Sequence, residues 1–482
     1  MAVVLGVDSS TQSTKVEIRD VDDGTVVATG RAPHPPARPP RSEQPPGGWW
    51  DALRAAVAAT GCRSVDAVAI AAQQHGMVLL DRRGGVLRDA KLWNDTESAP
   101  QAAAMTRQLT PEGWAQAVGS VPLAAFTIAK LAWLAATEPE VLADAACVLL
   151  PHDYLDHRLT GALATDRGDA SGTGYFDPVT GRWRTDLLER FVAAGPWEAR
   201  LPEVLGPLEP IGLASDAGRD ALGLRSNPLV GPGTGDNMAA ALGIALGPGD
   251  VAVSLGTSGT VFAVHPQPTQ DPSGAVAGFA DASGAFLPLV CTLNATRVTA
   301  TVAGWLGVSE DQLSRLAAGA APGASRAVLV PYFDGERTPN RPGASGTLVG
   351  LDTATTREQI ARAAFDGVAC GLLDGLDALV GATGIAPRRI FLVGGGARSS
   401  GYQRAVADLS GLPVVVPRHD EHVAAGACVQ AAAILSGRSL AQTQQDWSLG
   451  EGTTVAPDTE VDRLGLRDRY RAAAARPGPG EA

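Results

Sequence analysis

Lysine is nearly missing from this chain: three occur in 482 residues, at Lys15, Lys91 and Lys130. No GxxxxGK[ST] stretch is present, which excludes a Walker-type nucleotide fold. Arginine and alanine stand where lysine is usual, which reads as genome-wide compositional bias rather than function. Cysteine is sparse too: Cys62, Cys147, Cys291, Cys370 and Cys428 lie far apart, with no CxxC pair. That excludes a disulfide framework and a cysteine-rich zinc site, and it fits a reducing cytoplasm. No run approaches ~18 consecutive apolar residues, so no membrane span is expected. Asp8 interrupts the opening apolar run and no basic region precedes it, so a signal peptide is not expected either. Positive charge is in deficit: the formal net charge is −12. Nucleic acid and anionic membrane are thus excluded as main partners, while a locally positive site for a small anion is not. A Rossmann fingerprint is also missing. "GPGTGD" at 231–236 is close in letters, but its acid is immediately adjacent instead of far downstream.

What is present is enough chain for two cores. Residues 3–7 read as a buried strand, and Lys15 to Arg19 alternates as a half-buried one. "DDG" at 22–24 is a hairpin turn before a third strand. The proline-rich stretch 31–48 reads as an extended loop and "WWDALRAAVAAT" as a helix, with Trp49 and Trp50 as packing residues. Residues 64–81 read as strand, polar turn and strand. Helices are expected over 98–109 and 128–147. "GPGTGDNMAAALGIALG" reads as a glycine-rich turn into a helix. "RRIFLVGGGARSSGYQRAVADLSG" reads as strand, glycine turn and helix, followed by the strand "PVVVP" and the small-residue helix "HVAAGACVQAAAIL". The tail "RPGPGEA" is expected to be disordered.

Two stretches share one design. "VVLGVDSSTQSTKVEI" and "VAVSLGTSGTVFAV" each run apolar strand, Ser/Thr-rich turn, alternating strand, which suggests one such hairpin per domain, facing a cleft. Backbone N–H groups and hydroxyls in such turns suit phosphate oxygens, and a helix N-terminus adds partial positive charge. Bare phosphate would repel Asp8. A cation between them removes the conflict, and Mg²⁺ takes one or two carboxylates plus phosphate and water. Lys15 would offset phosphate charge. Thr257 is aligned with Asp8, so only the first hairpin recruits metal. The alternative is that Asp8 and its hydroxyl neighbours cap a turn. Asp236, after three glycines and at a helix start, is either an N-cap or, with Asn237, part of a site. The triplet Gln73-Gln74-His75 is costly to bury without partners, so it is either solvated or reading hydroxyls. Trp93, Asn94 and Asp95 would form one wall of a polar pocket.

Ten motifs in order then resemble one family. They are "GVDSSTQSTK", "QQHGMVLLD", "LWND", "FTIAKLAW", "LLPHDYLDHRLTG", "ATDRGDASGT", "GTGDNMAAALG", "SLGTSGTVFAV", "PYFDGERTP" and "LVGGGARS". The family is the FGGY-type carbohydrate kinases, within the actin/Hsp70/hexokinase-like superfamily. The resemblance implies an α/β fold of two actin-like (ribonuclease H-like) domains with a central cleft. It divides the chain into 1–246 for the sugar and catalytic acid, 247–440 for the nucleotide, and 441–482 as an extension. It implies ATP and Mg²⁺, a small sugar substrate, a cytoplasmic enzyme and a homodimer. Asp236 would be the proton acceptor and Asp8 the acid tied to Mg²⁺ and phosphate. Gln74, His75, Trp93, Asn94, Asp236 and Asn237 would meet the sugar. Thr11, Ser13, Lys15, Gly256, Thr257, Gly395, Gly396 and Arg398 would meet the nucleotide. "QQHG" with "WND" resembles the branch acting on D-xylulose, with transfer to its 5-hydroxyl; ribulose and gluconate remain as alternatives. Two departures stand out. Gln74 occupies a place where Met is frequent, and could alter sugar preference. His152 occupies one where Lys is frequent, with no consequence expected. The helix N-terminus is expected to keep Asp236 ionised. The rivals are a nucleotide-switched scaffold, which the polar turn and Asp236 oppose, and a sugar-responsive repressor, which a chain opening directly into a strand opposes.

Overall fold

The computed structural model describes residues 2–320, 322–323 and 326–476. Residues 477–482 of the tail expected to be disordered lie outside that range. The chain forms two compact units. The first comprises 1–245, 266–287 and 421–449, and the second 246–265, 288–420 and 450–482. Neither unit is continuous in sequence, unlike the division at 246/247 that the resemblance implies.

The first unit is built on a mixed sheet. Val3–Ser9 pairs antiparallel with Ser13–Asp20, which pairs antiparallel with Val26–Pro33. On its other side Val3–Ser9 runs parallel to Ala67–Ala72. Apolar residues on one face of these strands, Leu5, Val7, Val16 and Ile18, are buried with Trp49, Leu53 and Val57 of the helix Pro46–Ala59. Trp49 and Trp50 are packing residues, and the Trp49 indole donates to Oε1 of Gln44 at 2.7 Å. The opposite face takes the helix His422–Ser436. A Cβ on Gly6 would stand 2.1 Å from the carbonyl oxygen of Ala424, so only glycine permits that approach.

The second unit repeats the arrangement. Asp250–Leu255 pairs antiparallel with Gly259–Phe262 and parallel with Arg389–Val393, which runs parallel to Val414–Pro417. The helix Arg357–Thr383 opens with a Thr356/Gln359 capping box. It covers this sheet, and Leu372 fills the space over Gly259.

Two local expectations need correction. Residues 128–147 are not one helix: Thr127–Thr137 stops at Glu138, Pro139–Asp144 restarts, and Cys147–Leu149 is a strand. Pro139 cannot donate to a continuing helix and pushes Glu138 out of helical geometry, as its ψ of 56° shows. Thr257 does not match Asp8. Asp8 is paired with Lys15 inside its strand, whereas Thr257 lies in the turn between the last paired residues, Leu255 and Gly259.

Candidate active site

Strand ends assemble the site of the first unit. Asp8 is paired with Ala71 on the parallel strand, and Thr234 with the same residue from the other side. All three strands run parallel, so the segments at their C-terminal ends, carrying Asp8, Gln73–His75 and Asp236, emerge together. The short strand Thr234–Gly235 feeds the helix Asp236–Gly243. Gly235 is its N-cap and Asp236 its first residue. Asp236 is therefore not an N-cap; its Oδ1 instead accepts from the backbone N–H and the side-chain amide of Asn237, at 2.8 and 2.9 Å. The other end of that amide bridge is Oε1 of Gln74, which accepts from Asn237 Nδ2 at 3.0 Å.

The polar turn is buried, not solvated: Gln73 is 1 %, Gln74 5 % and His75 7 % exposed. His75 has φ 65°, a left-handed conformation that costs a non-glycine residue energy. The surroundings hold it there. Its carbonyl accepts from Lys130 Nζ at 2.6 Å and from Thr127 Oγ1 at 3.3 Å. Its Nδ1 lies 2.7 Å from the carbonyl of Gly172. Its ring stacks on Phe126 at 5.0 Å. Three buried polar atoms around this turn have no hydrogen-bond partner: Nε2 of Gln73, Nε2 of Gln74 and Oδ1 of Asn94. Two are donors and one an acceptor, a set that suits hydroxyl groups. Trp93 donates to Thr11 Oγ1 at 2.9 Å, and Thr11 donates to Gln73 Oε1 at 3.2 Å, which ties the Trp93–Asn94 segment to the turn. Asp95 faces away from this pocket; it accepts from Lys91 Nζ at 3.1 Å and Ser42 N at 2.9 Å.

Asp8 is 3 % exposed and accepts from Ser10 Oγ. Lys15 Nζ lies 3.8 Å from its Oδ2 and 2.6 Å from Glu421 Oε2, so the ammonium is shared between two acids. Burial pushes Asp8 up to about 6 despite Ser10 and Lys15. Burial, then the charges of Asp8 and Asp169, push Asp236 up to about 7. This corrects the expectation that the helix N-terminus keeps Asp236 ionised. A helix terminus is worth roughly 0.3–1 kcal/mol, whereas each pKa unit is about 1.4 kcal/mol, so burial prevails. Asp8 and Asp236 bear on each other through their charges with one ammonium near Asp8, and the Asp8 carboxylate with Ser10 Oγ offers oxygens of the kind that Mg²⁺ takes when it carries its own water and phosphate. Ser13 is buried at the start of the second strand.

The remaining residues expected to meet the nucleotide come together in the second unit, where Gly256, Thr257, Gly395, Gly396 and Arg398 line one cavity of about 540 Å³. Gly394 has φ 83°, and a Cβ there would press on the Leu255 carbonyl at 2.8 Å. A Cβ on Gly395 would meet nothing within 4 Å, so that backbone faces open space. The Gly256 carbonyl accepts from the Thr296 N–H at 3.0 Å and hydroxyl at 2.8 Å, which fixes the turn. Arg398 is paired with Asp420 at the rim.

Sequence reasoning placed Gln73 in the polar turn without naming it among the residues expected to meet the sugar, and assigned no role to Lys130, Asp169 or Glu421. All but Glu421 sit inside motifs quoted above, yet only the fold brings them to the site.

Residues 3–243 match the N-terminal domain, and 251–435 the C-terminal domain, of the FGGY family of carbohydrate kinases. A xylulose kinase of Streptomyces coelicolor is 46 % identical over 456 residues, covering 94 % of this chain and 92 % of that protein. The crystal structure of xylulose kinase from Bifidobacterium adolescentis is 40 % identical with a TM-score of 0.85, covering 98 % of this chain and 99 % of that one. A gluconate kinase from Lactobacillus acidophilus has a TM-score of 0.91, covers 98 % of both chains and is 23 % identical, so it shares the fold. With both domain models matched across almost the whole described chain, this protein belongs to the FGGY family of carbohydrate kinases.

Proposed function

We propose that the protein transfers the γ-phosphoryl group of ATP to the 5-hydroxyl of D-xylulose, giving D-xylulose 5-phosphate. The observation that carries this reading is the set of orphaned buried atoms, Gln73 Nε2, Gln74 Nε2 and Asn94 Oδ1, beside Asp236. A bound polyol supplies the missing partners. An epimer leaves one unpaired, which permits discrimination of up to ~10⁴-fold.

Asp236 is suited to take the hydroxyl proton, because a general base works best with a pKa near the working pH. Asn237 and Gln74 fix its orientation. In a loose transition state proton transfer can lag, so positioning carries more of the rate than basicity does. Bound at Asp8, Mg²⁺ would neutralise phosphate charge. Lys15 stands beside that carboxylate, and in the second unit the backbone at Gly395 faces the cavity and offers an N–H group to a phosphate oxygen. Five free cysteines and the family's metabolic role support a cytoplasmic setting.

Similarity favours xylulose: the gluconate kinase is 23 % identical, the two xylulose kinases 46 % and 40 %. A panel of D-xylulose, ribulose, gluconate and glycerol, read by ADP release, tests the assignment. D-xylulose should give the highest kcat/KM, and a tenfold preference for another acceptor would replace it. Asp236→Asn should lower kcat by at least ~10²-fold with nucleotide affinity retained; turnover within threefold of wild type would remove Asp236 from the role.

A further inference from the structure

The helix Pro151–Thr160 begins against the sugar turn: a Cβ on Gly76 would stand 2.4 Å from Cγ of Pro151. Its second residue, His152, is 0 % exposed and faces carboxylates at both ring nitrogens. Nδ1 lies 2.8 Å from Oδ2 of Asp169, and Nε2 lies 3.1 Å from Oδ1 of Asp153 and 3.8 Å from Oδ1 of Asp166. Asp156, one turn along the same helix, adds a fourth buried carboxylate with neither oxygen hydrogen-bonded. Tyr175 completes the surroundings, next to Asp153 and Asp169. Among the described residues no lysine or arginine pairs with any of these four acids.

Two of the acids reach the site. Asp169 reaches the His75 turn through Gly172, whose N–H donates to the Asp169 backbone carbonyl at 2.9 Å and whose own carbonyl lies 2.7 Å from His75 Nδ1, and the Asp169 charge acts on Asp236. Asp166 accepts from Thr234 Oγ1 at 2.7 Å, two residues before Asp236, and from the backbone of Gly168 and Asp169 at 2.8 and 2.9 Å.

We propose that His152 is a positioning residue for the transfer: a buried imidazolium that ties Asp169 to Asp166, and so fixes the His75 turn relative to the segment carrying Asp236. The inference rests on reading that turn and Asp236 as the sugar site. A buried carboxylate without a counter-charge takes up a proton. Protonated Asp169 has a donor to place and a weaker bond to His152, which loosens the turn at Gly172 that holds the His75 ring. Nδ1 is placed to donate to Asp169; on a neutral ring the Nε2 lone pair, which has no hydrogen-bond partner, would then face the carboxylates of Asp153 and Asp166, so the arrangement favours a proton on both nitrogens. Burial alone would pull the imidazolium down, but Asp153, Asp169 and Asp166 push it up to about 10.

The test compares His152→Gln, His152→Lys, Asp169→Asn and Asp236→Asn in the full-length enzyme, with folding checked by circular dichroism and melting. His152→Gln should lower kcat at least ~10-fold, since small misplacement of reacting groups is costly, and raise KM for the sugar while KM for ATP stays within twofold. His152→Lys should recover at least half of kcat, because an ammonium can donate to the same acids. Asp169→Asn should reproduce the His152→Gln pattern and keeps the test open if the latter does not fold. Wild-type kinetics in either neutral variant overturns the proposal. So does equal loss in folded His152→Lys and His152→Gln, which would indicate shape rather than charge. If Asp236→Asn is inactive while His152→Gln is unaffected, only this inference fails. If Asp236→Asn is itself active, the reading of the site fails.

Discussion

Asp236, half-buried at its helix start, is asked to be both desolvated and ionised, and that conflict is measurable. Its pKa in the fold is raised to about 7 against an ordinary 3.8. As the proposed proton acceptor Asp236 works in its basic form, so kcat/KM for the sugar should fall as pH drops through about 7. An acid limb centred near 4 would show that the carboxylate is not so perturbed. Stability carries the opposite sign. Between 3.8 and about 7 the folded chain holds a proton that the unfolded chain has released. The contribution is therefore fully present below 3.8 and lost as pH rises through about 7. Asp236→Asn removes that loss. It should melt above wild type at pH 8, by an amount reflecting on the order of a few kcal/mol, and the difference should vanish near pH 4. A variant that melts below wild type at pH 8 would contradict the burial argument.

Among the elements, the helix Asp236–Gly243 is aimed by its contact with His422–Ser436. The two cross at glycines. A Cβ on Gly426 would lie 1.8 Å from the carbonyl oxygen of Ala239, and one on Gly243 would lie 1.9 Å from that of His422. Gly426→Leu should therefore force the helices apart, cost at least ~1–3 kcal/mol of stability and lower kcat through the displaced Asp236. An unchanged melting temperature would rule out the close crossing. The sequence showed that "HVAAGACVQAAAIL" is a helix rich in small residues. It could not show which neighbour required them, because close approach is a property of two elements. The same limit applies to Lys130 and Asp169. Their motifs are visible, but their roles depend on His75 adopting φ 65° and on contacts spanning 55 residues and more. Strand, turn and helix order were legible wherever hydrophobic periodicity and glycine punctuation were strong. The break at Pro139 was misread because apolar residues continue across it.

For the molecule as a whole, the acceptor residues belong to one compact unit and the glycine-lined cavity to the other. Two discontinuous segments, 266–287 and 421–449, join the first unit, and nothing in their composition announces it. Contact between distant parts of the chain decides membership, and motifs read along the sequence do not show it. The separation has a consequence for binding. Gly395→Val would place its side chain in open space instead of against protein atoms, so the fold should survive while phosphate approach is blocked. Nucleotide affinity should fall at least ~10-fold, about 1.4 kcal/mol, with D-xylulose binding unchanged in the absence of nucleotide. Gln74→Ala removes the acceptor of the Asn237 amide and one orphaned donor. It should weaken the sugar by a comparable factor and leave nucleotide binding intact. Ligand-induced melting shifts read both, because a ligand at 100 times its Kd stabilises by about 2.7 kcal/mol. Wild-type protein should respond to sugar and to ADP separately, Gly395→Val to sugar alone and Gln74→Ala to ADP alone. Loss of both responses in either variant, with its own melting temperature unchanged, would mean that sugar and nucleotide are not read by separate units.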